Sequence, residues 1–249
     1  MADPYELERV PEAPSLPGQV VLRETEDDLH DALCADLMLQ AGNCVREFGD
    51  FHLIVSPELP CERVIRRLMT DPHYRALPWT RTRVWVSDDT TDGEGLASIA
   101  ELLIGHSGLP PEQLHGFGGD DPESGVASYR DLLHEMLGWR EKGQDRPDFA
   151  LLTLNEHARV AGLDPDWAGA DEDAGLALAG PGGRMSVSPR LVNACRYVAV
   201  LAVGSDAQAP LTDERAGHGI EPTGGVLRWF VDHAACGHPV GFPGRGGVS

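Results

Sequence analysis

The chain has 249 residues and a formal net charge of −20 at pH 7, with 40 acidic residues against 20 lysines and arginines. Such a negative surface repels nucleic acid and anionic membranes, so we expect neither as a partner. The apolar fraction of 41% is ordinary for a globular protein, and no run of about 18 apolar residues is present that would span a bilayer.

Both ends of the chain differ in composition from the part between them. Residues 1–18 are rich in proline and acidic residues and lack the basic and apolar regions of a signal peptide, so we expect a disordered or extended segment. Residues 237–249 are rich in glycine and proline and are predicted to be a disordered tail. Residues 19–236 are predicted to form one domain.

The five cysteines are widely spaced and contain no CxxC pair or zinc-type cluster. This pattern predicts free, mostly buried thiols in a protein of the reducing cytoplasm. We expect neither a metal ion nor another cofactor.

Short apolar runs alternate with amphipathic helical patterns along the chain. In chain order, the predicted elements are strand 20–22, helix 25–46 with Thr25 as its N-cap, strand 51–55, helix 60–69, strand 83–86, helix 96–104, helix 124–139, strand 149–152, strand 185–187, strand 197–203 and helix 226–234. Strands that alternate with helices indicate a mostly parallel, Rossmann-like sheet covered on both faces. The predicted fold is therefore a single three-layer α/β/α domain.

Several segments resemble a known family in their order and flanking residues. Residues 78–89 read PWTRTRVWVSDD, residues 109–115 LPPEQLH, residues 184–188 RMSVS and residues 222–235 PTGGVLRWFVDHAA. In this order they resemble the 6-phosphogluconolactonases and their relatives, the glucosamine-6-phosphate isomerases. The resemblance covers residues 20–236 and implies a Rossmann-like fold and an ancestry in sugar-phosphate metabolism, namely the pentose phosphate pathway.

The turn after the second predicted strand departs from the pattern of this family. The family has a glycine-rich S-G-G-S-T-P-K turn, whose backbone N–H groups suit a phosphate at a helix N-terminus. Here residues 56–62 read SPELPCE, so the glycines are lost and Glu58 places a carboxylate where the phosphate would lie. A second family motif, G-x-x-K, lacks its lysine at Ala207, and Lys142 is the one lysine of the chain.

The resemblance implies four candidate site residues. Asp88 matches an aspartate of the family and Asp89 stands beside it, while Thr90 replaces the arginine of that motif. His157 matches the histidine that acts in lactonases as the general base toward water, a role that suits a side chain titrating near neutral pH. We therefore assign catalysis to His157 and Asp88, and substrate binding to Arg184 and Asp89.

Different functions fit these residues. The lost glycines, arginine and lysines favour a catalytically degenerate member that binds or regulates, with a protein partner possible. The alternative is an active hydrolase of 6-phosphogluconolactone or a related sugar lactone, with His157 as the base. Isomerisation of a sugar phosphate is a third interpretation, although the G-x-x-K lysine is absent. In each case the expected ligand is a small sugar phosphate or sugar lactone.

Overall fold

Ten strands and six α-helices occur in the residues that the computed structural model describes, which are 11–142, 144–163, 175–217 and 219–237. In chain order the strands are β1 (Gln19–Arg23), β2 (Phe51–Val55), β3 (Thr82–Val86), β4 (Asp88–Thr90), β5 (Leu114–His115), β6 (Phe149–Thr153), β7 (Ala177–Ala179), β8 (Arg184–Val187), β9 (Tyr197–Ala202) and β10 (Val226–Asp232). The helices are α1 (Glu26–Phe48), α2 (Leu59–Thr70), α3 (Glu94–Leu103), α4 (Pro122–Leu137), α5 (Pro189–Ala194) and α6 (Gln208–Thr212).

Seven of the strands form a central sheet in the order β1-β10-β9-β6-β2-β3-β5. Every neighbouring pair in this sheet is parallel. The other three strands form a small antiparallel sheet in the order β4-β8-β7. Because β4 begins two residues after β3 ends, the small sheet lies next to the carboxyl end of β3.

Helices cover both faces of the central sheet and create two hydrophobic cores. On one face, Leu33 of α1 and Ile65 of α2 pack in the same buried cluster as Leu53 and Val55 of β2. On the other face, the cluster contains Ile54 of β2 together with apolar residues of α4, α5 and α6. All five side chains of β2 are buried, as expected for a strand with helices on both sides. The predicted three-layer α/β/α fold is thus confirmed.

The ends of α1 follow the expected chemistry of a helix. The Thr25 hydroxyl accepts a hydrogen bond from the backbone N–H of Asp28 at 3.1 Å, so the predicted N-cap is confirmed. The helix ends at Gly49, whose φ of 90° is left-handed and suits glycine.

The predicted helix 226–234 is wrong, because this segment forms the strand β10. β10 pairs in parallel with β1 on one side and β9 on the other, with Phe230 opposite Val21 and Leu201. Trp229 and Val231 enter one core and Phe230 the other. Since both faces of the strand are buried, its apolar residues are nearly continuous, and a short continuous run does not distinguish a strand from a buried helix.

Strand 185–187 was correctly predicted as a strand, but it belongs to the small antiparallel sheet and not to the parallel one. The short strands β4, β5 and β7 were not predicted, since two or three residues carry no recognisable period. The five cysteines are free thiols, of which four are buried.

The predicted terminal segments lie largely outside the described residues, which exclude 1–10 and 238–249. Residues 11–18 contain neither helix nor strand, and the limits 19–236 of the domain stay a prediction. None of the described helices combines the length and the apolar content needed to cross a membrane.

Candidate functional site

The turns that follow β2, β3, β6 and β9 meet at one edge of the sheet, where parallel strands end and α/β proteins place their ligands. Two neighbouring cavities open there, which we together call the crevice. The first, of about 470 Å³, is lined by His157, Glu58 and residues of the turns after β6 and β9. The second, of about 500 Å³, is lined by Asp88, Asp89 and Arg184.

His157 stands on the rim of the first cavity. The loop after β6 is held by the Asn155 side chain, whose Oδ1 accepts hydrogen bonds from the backbone N–H of His157 at 3.0 Å and of Arg159 at 3.1 Å. The His157 side chain is 60% exposed, and its Nε2 lies 3.5 Å from Oε1 of Glu156. The histidine is therefore accessible to water and to a ligand.

Asp88 and Arg184 lie together at the second cavity because β4 and β8 are paired, with Asp88 opposite Ser186 and Thr90 opposite Arg184. Although part of Asp88 reaches the cavity, burial raises the pKa of its carboxyl to about 6. The hydrogen bond from Ser87 and the charge of Arg184 oppose this rise, and Asp89 adds to it. Arg184 donates a hydrogen bond to the carbonyl oxygen of Gly162, which fixes its guanidinium beside Asp88.

Asp89 also lines the second cavity, but its carboxylate is occupied by the protein backbone. Its oxygens accept hydrogen bonds from the N–H groups of Thr90 at 2.8 Å, Gly95 at 2.9 Å and Leu96 at 2.9 Å. A carboxylate at this position satisfies free N–H groups in the first turn of α3 and complements the helix dipole. These contacts show that Asp89 caps the first turn of α3. Its assignment to substrate binding stays a prediction.

The turn after β2 contains Glu58 and two prolines, Pro57 and Pro60, in place of the glycines of the family. Glu58 occupies the N-cap position of α2 without a side-chain cap, and Pro60, which has no N–H, stands in the first turn of the helix. Oε1 of Glu58 accepts a hydrogen bond from Nδ2 of Asn155 at 3.1 Å. Burial raises the pKa of Glu58 to about 7, with Asp88 adding to the rise and the Asn155 hydrogen bond and Arg159 opposing it.

Carboxylates outnumber cations in the first cavity. Four acidic residues line it, namely Glu26, Glu58, Glu156 and Asp206. Arg63 is the one lysine or arginine in this lining, and it pairs with Glu26 at 2.6 Å. Ala207, at the position of the lysine of the family, also lines this cavity.

Lys142 belongs to the other edge of the sheet. It follows the segment of Arg140, which pairs with Asp50 and Asp148 beside the amino ends of β2 and β6. The lysine therefore does not replace the missing cations of the crevice. Within the described parts of the chain, no three His, Cys, Asp or Glu side chains are grouped to hold a metal ion.

The structure brings three predicted residues, Asp88, Asp89 and Arg184, to one cavity and places His157 in the neighbouring one. Asn155 was not recognised as a site residue from the sequence. An asparagine two residues after a strand is common, and only the contact with Glu58, 97 residues away in sequence, gives it a role.

The sequence of the chain is similar to that of known proteins. It matches the family model described as glucosamine-6-phosphate isomerases/6-phosphogluconolactonase over residues 24–226. It is 26% identical to the GDH/6PGL endoplasmic bifunctional protein of Oryctolagus cuniculus over 235 residues, which cover 84% of this chain and 29% of that protein. The protein of the same name from Homo sapiens gives the same identity and coverage. The chain thus spans less than a third of the length of these relatives.

Solved structures of the family share the fold. The 6-phosphogluconolactonase of Thermotoga maritima superposes with a TM-score of 0.70 at 18% identity, covering 86% of this chain and 99% of that one. The 6-phosphogluconolactonase of Trypanosoma brucei gives a TM-score of 0.67 at 15% identity, covering 90% and 99%. Since the family model accounts for residues 24–226, the chain belongs to the glucosamine-6-phosphate isomerase/6-phosphogluconolactonase family.

Proposed function

We propose that this chain is a binding or regulatory member of its family, which keeps the ligand crevice but does not hydrolyse 6-phosphogluconolactone. The observation that carries the proposal is the Glu58 carboxylate in the turn after β2, where the resemblance places a phosphate. Charge-assisted hydrogen bonds to an anion contribute about 1.5–3 kcal/mol each, so the loss of several weakens phosphate binding by orders of magnitude.

Two other positions support the same proposal. Thr90 stands where the resemblance places an arginine, and Ala207 stands where it places a lysine, and both residues line the crevice. With these changes the three anion-binding elements of the family are altered together. A sugar-phosphate ancestry, a cytoplasmic location and a protein partner belong to this proposal.

The test measures turnover and binding separately. Hydrolysis of 6-phosphogluconolactone is followed with the spontaneous opening of the lactone subtracted, and we expect no excess rate from the protein. Millimolar 6-phosphogluconate should not raise the melting temperature. A micromolar dissociation constant would stabilise the fold by about 4 kcal/mol at a thousandfold excess, and that result, or a rate well above background, would refute the proposal.

An active lactone hydrolase is the second candidate, because His157 is exposed on the first cavity. In this case His157 activates water, Asp88 orients the reactants and Arg184 binds an anionic group from the neighbouring cavity. General-base assistance supplies about 10²–10⁴-fold in rate. The candidate requires a rate above background that His157→Ala removes and that the matched variant His106→Ala, outside both cavities, leaves intact.

A further inference from the structure

Glu58 lies where the two cavities of the crevice meet. The preceding residue, Pro57, lines the second cavity, and Glu58 itself lines the first. Its side chain makes no cap hydrogen bond with α2 and is held by Nδ2 of Asn155 at 3.1 Å. The carboxylate is thus fixed across the crevice, between the turn after β2 and the loop after β6, and does not fold back on its own helix.

The environment of Glu58 is predominantly acidic. The charged and titratable groups around the crevice come from seven elements: Glu26 of α1, Arg63 of α2, Glu94 of α3, Asp88 and Asp89 of β4, Arg184 of β8, Glu156, His157 and Arg159 of the loop after β6, and Asp206 of the turn after β9. The field of Asp88 and Glu156 disfavours a negative charge on Glu58, whereas that of Arg159 favours it. A phosphate entering here adds charge of the sign that the site already carries in excess.

We propose that Glu58 determines the ligand class of the crevice. While ionised, its carboxylate accepts hydrogen bonds from the hydroxyl groups of an uncharged polyhydroxy ligand, such as an unphosphorylated sugar lactone, and excludes a phosphate. An ionised carboxylate is a pure acceptor, and ring hydroxyls are donors that it binds without repulsion. This inference rests on the proposed function, since it takes the same crevice as a binding site.

Protonation of Glu58 removes the negative charge that excludes an anion from the crevice. Because burial raises the pKa of Glu58 to about 7, roughly three quarters of the molecules carry the proton at pH 6.5 and only about 3% at pH 8.5. If an anion binds the protonated form alone, its apparent affinity scales with that fraction. The affinity for an anion is therefore expected to be about 25-fold greater at pH 6.5 than at pH 8.5.

Inorganic sulfate is the probe for this dependence, because it stays a dianion throughout this range whereas a phosphate would titrate. Its dissociation constant is measured at both pH values from NMR shifts of the loop after β6. The wild type should show the 25-fold difference, and Glu58→Gln should lose most of it, since among the described residues of the crevice only Asp88, with a pKa of about 6, remains as a carboxyl with a raised pKa. A pH-independent affinity in the wild type, or an undiminished dependence in Glu58→Gln, overturns the inference.

Two variants control for other titrating groups. Glu156→Gln removes a carboxylate of the same cavity that is 72% exposed, and the pH dependence should persist in it. His157→Gln removes the histidine, a residue type that titrates near neutral pH, and the dependence should again persist. Loss of the dependence in His157→Gln would assign it to the histidine and overturn the role of Glu58.

The ligand class is tested with glucono-1,5-lactam, an uncharged and hydrolytically stable ring. We expect saturable binding to the wild type, about fourfold tighter at pH 8.5 than at pH 6.5 because more of Glu58 is ionised there, and weakened at least tenfold by Glu58→Ala. Absence of binding, or an unchanged affinity in Glu58→Ala, refutes this ligand class. The proposed function fails on a different readout, the turnover of 6-phosphogluconolactone, so the two failures are distinguishable.

Discussion

The replacement Glu58→Gln is expected to stabilise the protein above neutral pH. The pKa of Glu58 is raised to about 7 in the folded state, against an ordinary value of 4.5 in the unfolded chain. The folded protein therefore holds this proton more tightly than the unfolded chain does. The stabilisation that the protonated Glu58 provides is fully present below the pKa of the unfolded state and is lost as the pH rises through the pKa of the folded state.

The size of the effect follows from the shift. A difference of about 2.5 pKa units, at about 1.4 kcal/mol for each, gives about 3.4 kcal/mol as an upper limit for the wild-type loss between pH 4.5 and pH 8. The limit is not reached in full, because Glu58 is partly exposed and water therefore solvates part of its charge. Glutamine keeps an oxygen that accepts the hydrogen bond from Asn155 and carries no charge to desolvate.

The assay is urea unfolding of the wild type and Glu58→Gln at pH 5, 6.5 and 8, with Glu156→Gln as the control. We expect Glu58→Gln to exceed the wild type by about 2–3 kcal/mol at pH 8 and to approach it at pH 5. The control should stay within about 0.5 kcal/mol at each pH, as is usual for an exposed position. Equal stabilities of Glu58→Gln and the wild type at pH 8 would show that water solvates the carboxylate and would refute the reasoning.

Three further predictions concern buried polar groups outside the turn after β2. Asp89→Ala should lower the stability by about 1–3 kcal/mol in urea unfolding, because three backbone N–H groups lose their acceptor; equal stability would show that water replaces the carboxylate. Burial lowers the pKa of His115 to about 4, so the unfolded chain takes up its proton first and stability falls by up to about 2 kcal/mol between pH 6.5 and pH 5. His115→Gln should remove that part of the pH dependence, and an unchanged profile would assign it to other groups. Arg140→Met should cost about 3–5 kcal/mol, since Asp148 is fully buried and loses a partner at 3.0 Å; a cost below about 1 kcal/mol in urea unfolding would contradict this.

The fold was predictable because the patterns that indicate it lie within short stretches of the sequence. Alternating strands and helices specify a parallel sheet with two covered faces, and the Thr25 cap could be read directly from the sequence. The segment of β10 was assigned to the wrong element, because its burial on both faces depends on the neighbouring strands β1 and β9. Local patterns carry no information about such neighbours.

The site was predictable only where single residues match a family motif. Asp88 and Arg184 were named from the sequence and line the same cavity, whereas the hydrogen bond of Asn155 to Glu58 joins residues 97 positions apart. The pKa of Glu58 depends on burial and on a charge from another strand. Both the hydrogen bond and the raised pKa depend on contacts that form only when folding brings together the turns after β2, β3 and β6.

The interior position of β10 has a consequence for the order in which the protein assembles. β1, residues 19–23, has β10 as its neighbour in the sheet, and Val21 faces Phe230 across more than 200 positions of the chain. During synthesis β1 therefore cannot pair with β10 until most of the polypeptide has emerged from the ribosome. Pairings of such long range are slow to form. A ribosome that stalls before Val226 would hold a nascent chain with the edges of β1 and β9 both open, a state that chaperones are expected to recognise.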